Sequence, residues 1–159
     1  LAIKDIVHLV GYVPHNQVAS YLQSCDLAVL PYPVNAYNSF ALSPLKMMEF
    51  LAVGLPMLVF DNPCIREIVS EKTALIVPPT LEGFIQGIQQ IVTNPALLFQ
   101  LAQKSKALAK YYDWHVRVAC IERFIDGLEQ GRFNTGDIIT VHDLLSVEEI
   151  ETIVAQASF

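Results

Sequence analysis

Apolar residues fall in short unbroken runs separated by amphipathic stretches. Ile6 to Val10, Asp26 to Leu30, Met57 to Phe60 and Ala74 to Val77 are compact apolar segments, each ended by Pro, Gly or a polar turn. Runs that do not alternate fit strands covered on both faces. Helical spacing fills the intervals. Val18, Tyr21 and Leu22 predict a helix over Asn16 to Ser24. Ser43 as N-cap and Pro44 at the first helical position predict another, which Gly54 and Pro56 stop about three turns later. Asn62 with Pro63 opens a short helix through Val69. Strands alternating with helices predict an α/β fold around a parallel sheet.

After Pro79 the chain reads as helical. Thr80 caps 81–92, Asn94 with Pro95 opens 96–111, and Asp113 caps 114–128. Gln130 to Gly136 is a polar break with two glycines. Beyond it Asp137 to Val141 is β-like. Ser146 with Glu149 forms a capping box for a last helix carrying Val147, Ile150, Ile153 and Val154. The segment 137–150 has a short likeness to the opening of aspartate or ornithine carbamoyltransferases, and a plain C-terminal helical extension is the simpler reading.

Composition narrows the function classes. The chain has 159 residues, enough for one domain with a proper core, and is 53% hydrophobic and 16% charged. No apolar run approaches the roughly 20 residues a spanning helix needs. The net charge is −6, from 10 basic and 16 acidic residues, with no basic run, so no nucleic-acid partner is expected. Cys25, Cys64 and Cys120 lie far apart, with no ligand spacing. Buried, reduced thiols in a cytoplasmic protein are expected. No metal site is assigned: His8, His15, His115 and His142 have no partner at ligand spacing. His8 is expected in the core or at a strand edge, and His15 in a turn. Trp114, Tyr111 and Tyr112 are expected to pin the closing helix. The chain lacks an initiator Met and opens almost inside a strand, so it is expected to be N-terminally truncated.

The chemistry concentrates at Ser43-Pro44-Leu45-Lys46-Met47-Met48-Glu49. A lysine in a helix's first turn opposes the macrodipole unless an anion docks there. Glu49 follows at i+3 and can share a face with Lys46. The polar loop with Asn35, Asn38 and Ser39 follows a strand's carboxyl end, where ligands bind in open parallel sheets.

Five signals then agree in order: Gly11-Tyr12-Val13-Pro14, Ser24 to Pro31, Ser43 to Pro56, Glu67-Ile68-Val69, and Leu75 to Pro79. Together with Asn94-Pro95 and Tyr112-Asp113-Trp114, this resembles the C-terminal, donor-binding half of family 4 retaining glycosyltransferases. The resemblance covers about residues 5 to 130. It implies a Rossmann-like parallel sheet flanked by helices, the C-terminal half of a GT-B fold. Residues 1–130 would form the nucleotide-sugar-binding domain, and 131–159 a linker and C-terminal extension. It implies transfer of a hexosyl group from a nucleoside diphosphate sugar to an acceptor with retention, needing no metal or other cofactor.

Backbone amides near Pro44 and Leu45, with Lys46, would hold the diphosphate, and Leu42 and Ser43 would line the same end. Glu49 would accept the ribose hydroxyls, and Gly11, Tyr12 and Val13 would flank the base. The family often carries a second acid eight positions before this glutamate; here that position is Ala41. No catalytic residue is assigned in this half. An N-terminal acceptor domain of the same protein would complete it, and peripheral membrane contact through that half is left open. The alternative from another class is a non-catalytic Rossmann-like module that binds a nucleotide or a partner. A GT-B sugar epimerase is a third.

Overall fold

The computed structural model describes residues 3–134 and 136–157. Leu1, Ala2, Thr135 in the polar break, Ser158 and Phe159 lie outside the described residues. Among the described residues three strands, β1 (Ala28–Leu30), β2 (Met57–Phe60) and β3 (Leu75–Val77), form one parallel sheet in the order β1-β2-β3. Ala28 pairs with Met57, and Leu58 with Leu75.

The central strand explains the unbroken apolar runs. Met57 and Val59 join Met47, Phe50, Leu51 and Ile65 in one core cluster. Leu58 joins Val77 and Ile91 in another, with Phe60 and Phe84 packed alongside. Successive side chains of β2 therefore enter separate cores, so none can be polar. β1 alternates instead: Ala28 and Leu30 are buried and Val29 is exposed.

Helix α1 (His15–Gln23) precedes β1. α2 (Ala36–Phe40) and α3 (Leu45–Val53) connect β1 to β2, and α4 (Pro63–Arg66) connects β2 to β3. α5 (Leu81–Thr93), α6 (Pro95–Ala109), a 3₁₀ turn (Lys110–Tyr112) and α7 (Trp114–Glu129) follow. Asn62, Thr80, Asn94 and Asp113 cap α4 to α7 through their side chains, as the sequence indicates. Gly54 ends α3 in the left-handed region at φ +74°. No described helix is long and apolar enough to cross a membrane.

Several expectations are corrected. Ile6 to Val10 is no strand: Ile6 and Val7 donate to the Ile3 carbonyl in a turn, and Leu9 is 95% exposed. An apolar run becomes a strand only beside a partner ladder, and no described segment pairs with it. His8 is accordingly exposed. The 35–42 loop contains α2, because the Asn35 side chain accepts the Asn38 amide and caps a helical turn. Asp137 to Val141 is not β: Thr140 donates its amide and hydroxyl to Asp143, starting α8 (Val141–Leu144) instead. Cys25 is exposed, its thiol donating to the Tyr21 carbonyl, while Cys64 and Cys120 are buried. Trp114 is exposed and packs no core.

The last helix, α9 (Val147–Ala157), carries the expected box: the Ser146 amide donates to Glu149, and the Glu149 amide to the Ser146 hydroxyl. Ile150 and Leu145 pack with Val116 and Cys120 of α7. Arg123 donates to the Leu144 carbonyl and pairs with Glu149, and Lys110 pairs with Glu151 at 2.8 Å. The Arg123 guanidinium, followed by the Ser146 hydrogen bonds, holds the Glu149 carboxyl at about 2 against its ordinary 4.5. A depressed folded pKa stabilises above the unfolded value and stops doing so as pH falls through the folded one. The stability gap between the native chain and Glu149→Gln should therefore close between about pH 4.5 and 2 in unfolding scans. A gap constant across that window would separate Glu149 from the docking of α9.

Candidate functional site

Most described helices hide their first amides behind a capping side chain; α1 and α3 do not. Each starts behind a proline, Pro14 and Pro44, with no side-chain cap. The N-cap of α3 is thus Pro44, not Ser43 as expected. Pro44 keeps a non-helical ψ of 93° and is buried, while Ser43 is exposed one place outside. The Met47 amide donates to the Pro44 carbonyl at 2.9 Å. The Leu45 and Lys46 amides have no partner among the described residues. Leu45 is 74% exposed, so this amino end faces solvent. Two unused N–H groups at the positive end of the helix dipole make an anion-binding end.

Lys46 and Glu49 come together as expected, on one face of α3 and in direct contact. Lys46 Nζ donates to Glu49 Oε2 at 3.0 Å, with the side chains 60% and 34% exposed. An exposed i,i+3 pair contributes only about 0.2–0.5 kcal/mol. Each partner is therefore easily drawn to a stronger one.

Glu49 stands where two grooves meet. One, about 480 Å³, runs between α3 and the end of α6, past Ala52, Lys106, Lys110, Asp113 and Trp114. The other, about 180 Å³, lies between α3 and α1, lined by His15, Val18, Ala19, Leu22, Ala52 and Val53. The turn before α1 contains Gly11 at φ +76°, a conformation that favours glycine. Gly11 and Tyr12 are exposed and Val13 is half-buried; none of the three lines either groove.

The other expected residues divide. Leu42 packs against the main core, and Ala41 is the exposed C-cap of α2. No residue of α2 lines either groove, so the Asn35–Ser39 segment stands apart from Glu49. A further cavity of about 450 Å³ lies between α7 and the tail, against Cys120, Ile121, Phe124 and Val141, and holds none of the expected residues. Sequence reasoning missed His15, Lys106 and Trp114 as neighbours of Glu49. For Lys106 and Trp114 no local signal exists, because they come from α6 and the start of α7, far along the chain from α3. For His15 the cue was its place just after the Gly11 turn.

Comparison with known proteins matches residues 1–94 to the family described as Glycosyl transferases group 1. The chain is 28% identical over 112 residues to an uncharacterized glycosyltransferase of Haemophilus influenzae, covering 68% of this chain and 30% of that protein. It is 30% identical over 90 residues to the amylovoran biosynthesis glycosyltransferase AmsK of Erwinia amylovora, covering 57% and 22%. The chain thus spans less than a third of the length of these relatives. Among solved structures, sucrose-phosphate synthase from Thermosynechococcus elongatus superposes with a TM-score of 0.66 at 22% identity, covering 81% of this chain and 32% of that one. That likeness is one of fold, a GT-B type α/β arrangement.

Proposed function

The chain belongs to the glycosyl transferases group 1 family, and from that premise we propose that the amino end of α3 and the grooves at Glu49 hold a nucleoside diphosphate sugar. The carrying observation is the combination at one helix end: two unpartnered amides, a lysine, and a carboxylate one turn on that opens onto both grooves. The diphosphate sits on the Leu45 and Lys46 amides. Lys46 then leaves Glu49 for a phosphate oxygen. That frees both Glu49 oxygens for the two ribose hydroxyls, and charge-assisted bonds replace a weak surface pair.

As the sugar leaves, negative charge grows on the diphosphate, and fixed amide dipoles stabilise it without reorganising. In this reading the chain is the donor-binding, C-terminal half of a family 4 enzyme that transfers with retention and needs no metal. An acceptor-binding half in a longer parent completes it, in the cytoplasm. With Ala41 where an acid often stands, the sugar is held by other groups.

A thermal-shift series with UDP, GDP and ADP tests the reading. At a concentration about 100 times Kd, binding adds about 2.7 kcal/mol. That raises the midpoint by roughly 5–10 °C in a chain of this size. No shift with any of them at millimolar concentration contradicts the proposal.

A further inference from the structure

Two grooves leave Glu49, and their linings differ in kind. The larger carries Lys106, Lys110 and Asp113, charged groups suited to charged or hydroxylated parts of a ligand. The smaller is lined by Val18, Ala19, Leu22, Ala52 and Val53, with Glu49 and His15 as its only polar side chains. At about 180 Å³ it falls below the roughly 300–1,000 Å³ of sites that enclose a whole ligand, and suits a single flat ring system.

A base is bonded to the ribose carbon beside the 2′-hydroxyl. A ribose gripped by Glu49 must therefore put its base within one sugar's length of the carboxylate. A nucleobase has apolar faces and a polar edge. The small groove offers apolar walls and one side chain able to meet an edge.

Resting on the donor-site reading above, we infer that His15 reads the edge of the base and sets which nucleoside diphosphate this chain prefers. His15 is the first residue of α1, held in place by Pro14 at φ −54° and by the packing of α1 on α3. It is exposed, and its side chain makes no hydrogen bond or ion pair among the described residues. A neutral imidazole presents one donor and one acceptor nitrogen, enough to separate a carbonyl edge from an amino edge. A site that hydrogen-bonds one base leaves its own group unpaired against another, and that mismatch is what discriminates. The Val18, Leu22 and Val53 walls make van der Waals contact with any base and leave the choice to His15.

The test is calorimetric titration of the chain and its His15→Ala and His15→Gln variants with UDP, GDP, ADP and inorganic pyrophosphate. The native chain should favour one nucleoside diphosphate by about tenfold or more, the scale of one lost hydrogen bond. His15→Ala should bring the three to within about threefold of one another, the scale at which only apolar contacts discriminate. His15→Gln, which keeps a donor and an acceptor, should retain part of the preference. Pyrophosphate affinity should not change, and circular dichroism should show both variants folded. Binding that depends on Glu49 but keeps its base preference in His15→Ala overturns this inference alone, as does a native chain indifferent to the base. Failure of every diphosphate to bind overturns the donor-site reading and this inference with it.

Discussion

Glu49→Gln is expected to weaken nucleoside diphosphate binding by about 10- to 100-fold while leaving the chain as stable as before. Glutamine keeps the length and one acceptor oxygen. It loses the charge and the second acceptor, so it cannot take both ribose hydroxyls. Hydrogen bonds to a charged group contribute about 1.5–3 kcal/mol, which converts to that loss of affinity. Stability has little to lose: the native side chain makes one exposed ion pair with Lys46, so the midpoint should fall by about 1–2 °C at most. Titration calorimetry and thermal melts on one preparation separate the two effects. In a longer parent the same substitution should depress transfer. Unchanged affinity would remove Glu49 from the site.

Leu51→Ala should do the reverse, with a large loss of stability from a residue that meets no ligand. Leu51 is 0% exposed on the inner face of α3, in the cluster with Met47, Phe50, Met57 and Ile65. Removing it deletes buried carbon and leaves a cavity between α3, α4 and β2, at a cost of about 3–5 kcal/mol. The melting midpoint should drop by roughly 10 °C or more. Leu51→Met, which keeps the volume, should cost under about 1.5 kcal/mol. Denaturant unfolding measures both. The pair of substitutions, two positions apart on one helix, separates the face that holds α3 from the face proposed to hold a ligand. A mild Leu51→Ala would mean that α3 is anchored elsewhere.

The contrast shows which parts of the molecule could be read from residue order. β2 was legible because both its faces are covered, so all its residues had to be apolar. The caps at Asn62, Thr80, Asn94 and Asp113 were legible because capping is local chemistry. Ile6 to Val10 has the same composition as a strand, and composition does not state whether a partner ladder lies beside it. Asp137 to Val141 misled for the same reason, and the Thr140–Asp143 hydrogen bonds decided for a helix. Pro44 displaced Ser43 as N-cap because its ψ of 93° is not helical. Within the site, Lys46 and Glu49 were legible from their spacing on one helix. Their groove partners come from α1, α6 and the start of α7, and no pattern within α3 points to them.

The central claim is about place: a diphosphate on the first amides of α3. Nuclear magnetic resonance of the ¹⁵N-labelled chain, titrated with the nucleoside diphosphate that raises the melting midpoint most, tests it residue by residue. The account predicts that the amide signals of Leu45 and Lys46 move furthest, with smaller shifts at Glu49 and at the start of α1. Saturable shifts confined to α7 and the tail cavity, with Leu45 and Lys46 unmoved, would contradict it.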